Sequence, residues 1–198
     1  VRCVPRPVVV DKAKGCAIYE YVDGRHISSH EVSSADIDLA VEFLTRLGEL
    51  TSSKASLRIP LASDACLSVQ SVLDKIQKRL QRLSELPYTG APYEILSEFL
   101  RCDFIPATHE IIAQCQTRLD QLGTSLLTEL PVGERTLSPS DFGFHNALRR
   151  GDSRIVFLDF EYFGWDDPAK LIGDFLLHPG MQLSSDLRHM WTKGTEDI

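Results

Sequence analysis

Two stretches of the chain decide its fold, SPSDFGFHN at residues 138–146 and LDFEYFGWDDPAK at residues 158–170. The first places Asn146 five residues after Asp141, and it contains the letters D-F-G starting at that aspartate. The second places Asp159 at the end of an apolar run. The two stretches therefore combine two acidic positions with one asparagine that closely follows the first of them.

A β-hairpin is predicted between these two acidic positions. Its first strand is formed by residues 147–150, its turn by Gly151 and Asp152, and its second strand by residues 154–158. The second strand is continuous and apolar, which is typical of a buried strand. The hairpin therefore separates the two acidic positions and ends at Asp159.

This combination of side chains suits phosphoryl transfer. The reaction needs one carboxylate that orients the acceptor hydroxyl and takes its proton. It also needs oxygen ligands, such as an asparagine amide and a second carboxylate, that hold magnesium on the nucleotide phosphates. Each residue taken alone is more typical of a turn, a helix cap or a strand end. The spacing of all three together favours the chemical interpretation.

The D-x-x-x-x-N spacing at 141–146, the hairpin and the LDFEYFGWDDPAK stretch resemble the aminoglycoside phosphotransferase and choline kinase family. That family has the protein kinase-like fold. The resemblance is specific across residues 137–170 and looser across residues 16–24, where IYEYVDG resembles the hinge between the two lobes. The long helical middle of the chain is similar in kind to the family's helical C-lobe.

The resemblance implies a role for each residue of the motif region. Asp141 is similar to the catalytic base, and Asn146 and Asp159 are similar to the magnesium ligands. Glu161 is predicted to take part in the same metal site. His145 is predicted to pack or to form hydrogen bonds rather than to bind a metal.

The sequence contains residues that resemble the hinge, but it lacks the motifs of the part of the fold that covers ATP. By the same resemblance, the backbone at Glu20 and Val22 would meet the adenine of ATP. No G-x-G-x-x-G occurs among the 12 glycines, and Lys12 and Lys14 lie in an apparent turn rather than in a strand. Because the chain also starts at Val1 rather than at Met, we expect a fragment. The ATP-covering part of the N-lobe is then either missing from these residues or lacking in the natural protein.

The letters D-F-G raise the question of whether Asp141 is the metal aspartate of a protein kinase. In that case a D-x-x-x-x-N should precede it, but Asn146 is the only asparagine in the chain. Asp141 is therefore predicted to be the catalytic-loop aspartate, and Asp159 in D-F-E to be the metal aspartate. One departure concerns the H-x-D of the family, whose histidine supports the loop, because Pro139 occupies that position here.

Periodicity and breaker residues predict the remaining elements. Strands are predicted at 8–10 and 16–21, followed by a break at Asp23-Gly24. Ser34 is predicted to cap a helix, Pro106 to open another that ends near Leu122, and Asp167-Pro168 to begin a third. Further predicted elements are helices at 67–83 and 94–100, a turn at 87–90 and an extended segment at 135–138.

Composition restricts the class of protein further. A net charge of -7 argues against a nucleic-acid partner and is compatible with a cationic substrate. The five cysteines show neither C-x-x-C nor zinc spacing, which favours reduced thiols and a cytoplasmic location. No signal peptide is visible, and no apolar run approaches membrane-spanning length, so no membrane partner is expected. The histidines outside the loop form no metal spacing and receive no predicted function, among them His178.

The predicted fold class is α+β, a mostly helical kinase-like C-lobe with a small catalytic β-hairpin and a remnant of the N-lobe sheet. Residues 1–24 would form that remnant and the hinge, and residues 25–198 the C-lobe, with the catalytic loop at 138–146 and the metal motif at 158–161. The predicted function is ATP- and magnesium-dependent phosphorylation of a hydroxyl on a small molecule, namely an aminoglycoside, a choline-like amino alcohol or a sugar.

Two other functions remain open from the sequence. One is a kinase relative with little catalytic activity that binds a nucleotide or a partner, which the missing N-lobe parts and Pro139 would favour. The other is a metal-dependent phosphohydrolase that uses Asp141, His145 and Asp159. A glycine-rich loop and a strand lysine upstream would favour the kinase, whereas metal-dependent hydrolysis without ATP would favour the phosphohydrolase.

Overall fold

The computed structural model describes residues 3–86, 90–196 and 198. It is 51% helical and 12% strand, which confirms the mixed, mostly helical class. The chain divides into two compact units. The first contains the described residues up to Ala65 and from Val132 onward, and the second is Cys66–Pro131.

The first unit begins with a two-stranded antiparallel ribbon, β1 (Pro7–Asp11) and β2 (Cys16–Tyr19). In the turn between them, Gly15 has a φ of 63°, a left-handed conformation that glycine adopts without strain. β2 ends two residues earlier than predicted. The ribbon leaves large apolar side chains exposed on both strands, namely Val8, Val9, Val10, Ile18 and Tyr19.

Helix α1 (Ser34–Glu49) follows a capping box formed by Ser33 and Asp36. The Asp36 carboxylate accepts hydrogen bonds from the backbone N–H and the hydroxyl of Ser33, each at 2.8 Å. The predicted cap at Ser34 is therefore wrong by one residue, because only Ser33 lies three residues before an acidic side chain that can bond back to it. The helix buries Ile37, Ala40 and Leu44.

Three short strands form the sheet that carries the motif region. The predicted hairpin is confirmed as β5 (Ala147–Arg149) and β6 (Ile155–Phe157), which pair antiparallel. A strand that was not predicted, β3 (Arg25–His26), pairs with the other edge of β5. The extended segment before the loop forms β4 (Thr136–Ser138), which pairs instead with β7 (Gly164–Asp166).

Helices α5 (Pro168–Leu177) and α6 (Ser185–Gly194) complete the first unit. The predicted start of α5 is confirmed, because Asp167 is its N-cap and accepts a hydrogen bond from the Ala169 N–H. Both helices pack on the core that α1 and the hairpin share. The buried core side chains from these elements and the loop include Leu44, Phe142, Phe144, Phe157, Leu171, Phe175, Met181 and Trp191.

The second unit is helical, with α2 (Val69–Ser84), α3 (Ala91–Phe99) and α4 (Ile105–Gln121). α3 and α4 are joined by a π-helical turn, Leu100–Phe104, in which the Ile105 N–H donates to the carbonyl of Leu100. Pro106 lies in the first turn of α4, and α4 ends with Leu122 as its C-cap, which confirms the predicted helix; the π turn before it was not predicted. The π turn places the extra residue just before the proline, where the ring would otherwise crowd the preceding turn. The predicted turn at 87–90 falls on residues 87–89, outside the described part of the chain.

Across the described residues, no helix is both long and apolar enough to cross a membrane. None of the five cysteines, all of which lie in the described part of the chain, takes part in a disulfide.

Candidate active site

The loop after β4 has alternating side-chain environments. Phe142 and Phe144 are buried at 3% and 2% exposure, and Phe142 stacks against Phe43 and Phe175. Asp141, between β4 and these aromatic anchors, is exposed. The loop is therefore held by its aromatic side chains, which pack into the core and leave the carboxylate at the surface.

The residue before Asp141 has an unusual backbone conformation. Ser140 has a φ of 68°, which is uncommon for a residue other than glycine. Two hydrogen bonds hold it there: its N–H donates to Oγ of Ser138 at 3.0 Å, and its Oγ donates to the carbonyl of Tyr162 at 3.1 Å. The second bond ties the predicted catalytic loop to the chain that follows the predicted metal motif.

Asp141 accepts hydrogen bonds on both carboxylate oxygens. Its Oδ1 lies 3.0 Å from Nε2 of His145, and its Oδ2 accepts from Nδ2 of Asn146 at 3.0 Å. The same Asn146 amide also donates to the main-chain carbonyl of Asp141 at 2.9 Å. Burial alone would raise the pKa of Asp141, but the hydrogen bonds from His145 and Asn146 outweigh it and hold the pKa below its usual value. The prediction that His145 forms hydrogen bonds is confirmed.

His178 joins this group, although the sequence analysis gave it no function. Its ring stacks on that of His145, with centroids 3.7 Å apart and planes 11° apart. Its Nε2 lies 3.7 Å from Oδ1 of Asp141. The two histidines are 33 residues apart in the sequence, so no local spacing signals their contact. Only the return of the chain after α5 brings His178 to the loop.

The hairpin brings Asn146 and the metal motif side by side. The N–H of Leu158 donates to the carbonyl of Asn146 at 2.8 Å, which continues the β5–β6 pairing by one residue. Asp159, the next residue, is exposed and has a φ of 62°. An aspartate tolerates this left-handed conformation better than most residues do. The chain therefore turns away from β6 at Asp159, whose carboxylate is exposed.

Glu161 is also exposed, two residues beyond Asp159. Hydrogen bonding to the Glu161 carboxylate and its negative charge raise the pKa of Tyr162. Glu20 and Val22 lie in the segment between β2 and β3. The Glu20 N–H donates to the carbonyl of Arg6 at 2.9 Å, and its carboxylate accepts from the Arg6 N–H. The roles of Glu20, Val22 and Glu161 in binding stay predictions.

The donor set suits a magnesium ion that is completed by phosphate oxygens. Asn146 uses its amide nitrogen on Asp141, which leaves the amide oxygen as its ligand atom, and Asp159 offers carboxylate oxygens. Magnesium prefers hard oxygen ligands and seldom occupies a site built of protein side chains alone. The fit is therefore to a metal bound together with a nucleotide.

Among the described residues, one group of acidic and histidine side chains has the proximity that a metal ion requires, and it consists of Asp141, His145 and His178. Asp159 does not belong to that group. A phosphohydrolase was expected to use Asp141, His145 and Asp159. In the group observed here, His178 takes the place of Asp159.

No family model and no curated protein sequence matches the chain significantly. Solved structures do match it. Choline kinase LicA from Streptococcus pneumoniae aligns with a TM-score of 0.56 at 16% identity, covering 98% of this chain and 56% of that one. The gentamicin complex of APH(2")-IIa aligns with a TM-score of 0.55 at 21% identity, covering 100% of this chain and 61% of that one. Ethanolamine kinase of Plasmodium vivax aligns with a TM-score of 0.50 at 16% identity, covering 98% and 52%.

These neighbours share one class, the protein kinase-like kinases of small molecules. The chain has their fold, which confirms the fold expected from residues 137–170. It spans between 52% and 61% of the length of these three structures. That coverage is consistent with a fragment in which the C-lobe dominates.

Proposed function

We propose that the chain is the catalytic part of a phosphotransferase that moves the γ-phosphoryl group of ATP to a hydroxyl of a small molecule. The observation that carries the proposal is the Asp141 carboxylate, which is exposed and oriented by Asn146 and His145. It lies on a loop whose end is hydrogen-bonded to the residue before Asp159. A general base and two metal ligands are the groups that this reaction requires.

Asp141 is the proposed catalytic base. The lowered pKa of its carboxyl keeps it ionised near neutral pH, so it can accept a hydrogen bond from the acceptor hydroxyl. Each carboxylate oxygen accepts one hydrogen bond, Oδ1 from His145 and Oδ2 from Asn146, and Oδ1 also faces Nε2 of His178 at 3.7 Å, which leaves Oδ2 as the less crowded oxygen. We assign Oδ2 as the oxygen that receives the hydroxyl proton while the phosphoryl group is transferred.

Asn146 and Asp159 are the proposed ligands of magnesium, with Glu161 nearby to support the site. When bound, magnesium neutralises charge on the nucleotide phosphates. The hydrogen bond from the Leu158 N–H to the Asn146 carbonyl keeps the backbones of the two proposed ligands adjacent, which supports the proposal. The backbone at Glu20 and Val22 is the proposed contact of the adenine.

The neighbours support this choice of ligands. LicA was solved with AMP, APH(2")-IIa with streptomycin and ATP, and APH(2")-Ib with ADP. The names of the neighbours include a choline kinase and an ethanolamine kinase. An aminoglycoside, a choline-like amino alcohol or a sugar is therefore the proposed acceptor, and the net charge of -7 suits a cationic one.

The organisation of the whole protein is part of the same proposal. Residues 1–24 are assigned to the N-lobe remnant and hinge, and residues 25–198 to the C-lobe. We infer a cytoplasmic protein with neither a nucleic-acid nor a membrane partner. Because the N-lobe parts that cover ATP are not among these 198 residues, the chain alone is expected to bind ATP weakly and to turn over almost nothing.

Paired substitutions in the whole protein test the proposed roles. Asp141→Asn keeps the shape of the side chain and removes the base, so the rate should fall by roughly 10²- to 10⁴-fold while nucleotide affinity barely changes. Asp159→Asn should weaken magnesium-dependent nucleotide binding as well as turnover. The measurements are steady-state phosphotransfer and nucleotide titration on both variants.

The opposite pattern would contradict the proposal. If Asp141→Asn abolished nucleotide binding and Asp159→Asn left it intact, the two roles would be exchanged. Asp38→Asn is a suitable control for the loss of one negative charge, because Asp38 is exposed on α1.

A further inference from the structure

His145 lies in a slot that four residues from two segments of the chain form. From the catalytic loop, a Cβ on Gly143 would lie 2.6 Å from Nδ1 of His145. From the segment after α5, a Cβ on Gly180 would lie 3.2 Å from Cβ of His145, and the His178 ring covers the flat face of the His145 ring. Met181 closes the same region, with its Sδ accepting from the Phe144 N–H at 3.2 Å. The ring of His145 is thus held by packing on several sides.

His178 is itself fixed in orientation. Its Nδ1 accepts a hydrogen bond from the Gly180 N–H at 3.1 Å, and its carbonyl accepts from the Met181 N–H at 3.0 Å. An Nδ1 that accepts carries no proton, so the proton of the neutral ring lies on Nε2. That nitrogen is 3.7 Å from Oδ1 of Asp141, which is too far for a hydrogen bond. His178 therefore contacts the pair of Asp141 and His145 through the face of its ring, which stacks on the ring of His145.

A shared metal ion explains this arrangement less well. The ligand atoms of Asp141, His145 and His178 lie within 4.8 Å of one another. A metal on His178 would need Nε2 without its proton, whereas the Gly180 bond favours the proton on that nitrogen. In addition, two nearly parallel rings direct their nitrogen lone pairs side by side rather than towards one point.

We propose that His178 is a positioning residue for the catalytic base: its ring, stacked on His145, holds the Nε2 of His145 against Oδ1 of Asp141. This inference rests on the proposed function, in which Oδ2 of Asp141 receives the proton of the acceptor hydroxyl. By holding His145 on Oδ1, the stack fixes the orientation of the carboxylate, whose Oδ2 then has Asn146 as its protein donor. The segment at residues 178–181 thereby affects the rate of phosphoryl transfer through His145, and its proposed role requires no contact with the substrate.

Two substitutions of His178 separate the ring face from the ring nitrogens. His178→Phe keeps a flat ring for the stack and loses both nitrogens, whereas His178→Asn keeps a polar partner for the Gly180 N–H and loses the ring. In the whole protein, we expect kcat close to the unsubstituted value for the phenylalanine variant. For the asparagine variant we expect a fall of about 10- to 100-fold, since a misplacement of about 1 Å costs up to about 100-fold. The KM for nucleotide should not change in either variant.

A second readout does not depend on activity. In the 198-residue chain, the imidazole Nε2–H of His145 is hydrogen-bonded and should give a protected proton signal in NMR spectra. That signal should persist in His178→Phe and be lost to exchange in His178→Asn. His189→Asn is the matched control, because His189 is exposed on α6 and should leave both readouts unchanged.

The results also separate this inference from the proposed function. If Asp141→Asn abolishes transfer while His178→Asn retains full kcat and the His145 signal, the positioning role of His178 is wrong and the function stands. An asparagine variant more active than the phenylalanine variant, or a loss in both variants, would also overturn the stacking role. If Asp141→Asn is fully active, the proposed function fails, and the NMR signal still decides whether His178 orders His145.

Discussion

At the scale of single residues, Gly143 tests how tightly the loop at residues 138–146 is packed. A Cβ there would lie 2.6 Å from Nδ1 of His145 and 2.9 Å from Sδ of Met181. The φ of Gly143 is 170°, extended backbone that any residue adopts, so the cost of Gly143→Ala is steric. We expect a loss of about 1–3 kcal/mol in the free energy of unfolding, as for other overpacked sites. Chemical denaturation measures it.

Gly151→Ala is the matched control for that substitution. Gly151 lies in the turn between β5 and β6, and a Cβ there would meet no atom within 4 Å. The control should leave the denaturation midpoint nearly unchanged. If the midpoint were unchanged for Gly143→Ala as well, the slot around His145 would have room for a Cβ, which contradicts the prediction.

Residues whose partners are close in the sequence were predictable, and those with distant partners were not. Asp141 and Asn146 are five residues apart, and their spacing alone indicated a shared loop. His178 meets His145 only because α5 ends beside the loop, which no periodicity encodes. Asp36 was also missed, since its partner Arg149 is 113 residues away. Contacts set by tertiary packing leave no local signal.

At the scale of elements, the ion pair of Asp36 and Arg149 joins the start of α1 to the β5–β6 hairpin. Two hydrogen bonds of 2.8 and 2.9 Å make the contact bidentate, and the Asp36 side chain is 3% exposed. Asp36→Asn would leave the Arg149 charge without its partner. We expect a loss of about 3–5 kcal/mol in the free energy of unfolding at pH 7, as for other broken buried pairs. Asp38→Asn, on the exposed side of α1, is the control.

The same pair gives a dependence on pH with a defined sign. Burial alone would raise the pKa of Asp36, but hydrogen bonds from Arg149 and Ser33 hold it below its usual value of 3.8. A pKa that is lower in the folded state contributes stability above the unfolded value and loses it as the pH falls through the folded value. The difference in unfolding free energy between the unsubstituted protein and Asp36→Asn should therefore be constant above pH 5 and shrink below pH 3.8. A difference that grew on acidification would contradict this assignment.

The start of α4 was predicted correctly, because Pro106 is typical of a first helical turn. The π turn at Leu100–Phe104 that connects α3 to α4 was missed, because no residue of this segment signals it. The hairpin was predicted well because its apolar strand and its Gly-Asp turn agree with each other. β3 was missed because two residues are too few to show a period.

At the scale of the whole molecule, the two units differ in how deeply their helices are buried. α1 has four fully buried residues and α5 has two, whereas α2, α3 and α4 have none. Helices with few buried contacts open at lower free energy. We expect the backbone amides of α2 and α4 to exchange with deuterium faster than those of α1. Mass spectrometry of peptic peptides measures this, and slower exchange in α2 than in α1 would contradict it.

The β1–β2 ribbon has a consequence for the protein in concentrated solution. Its exposed valines, isoleucine and tyrosine lie on both strands, next to backbone edges that can pair with another chain. Exposed apolar side chains beside open strand edges favour association between copies of the chain. At the concentrations used for storage and crystallisation we therefore expect association through this ribbon, and Val9→Lys is the substitution expected to reduce it.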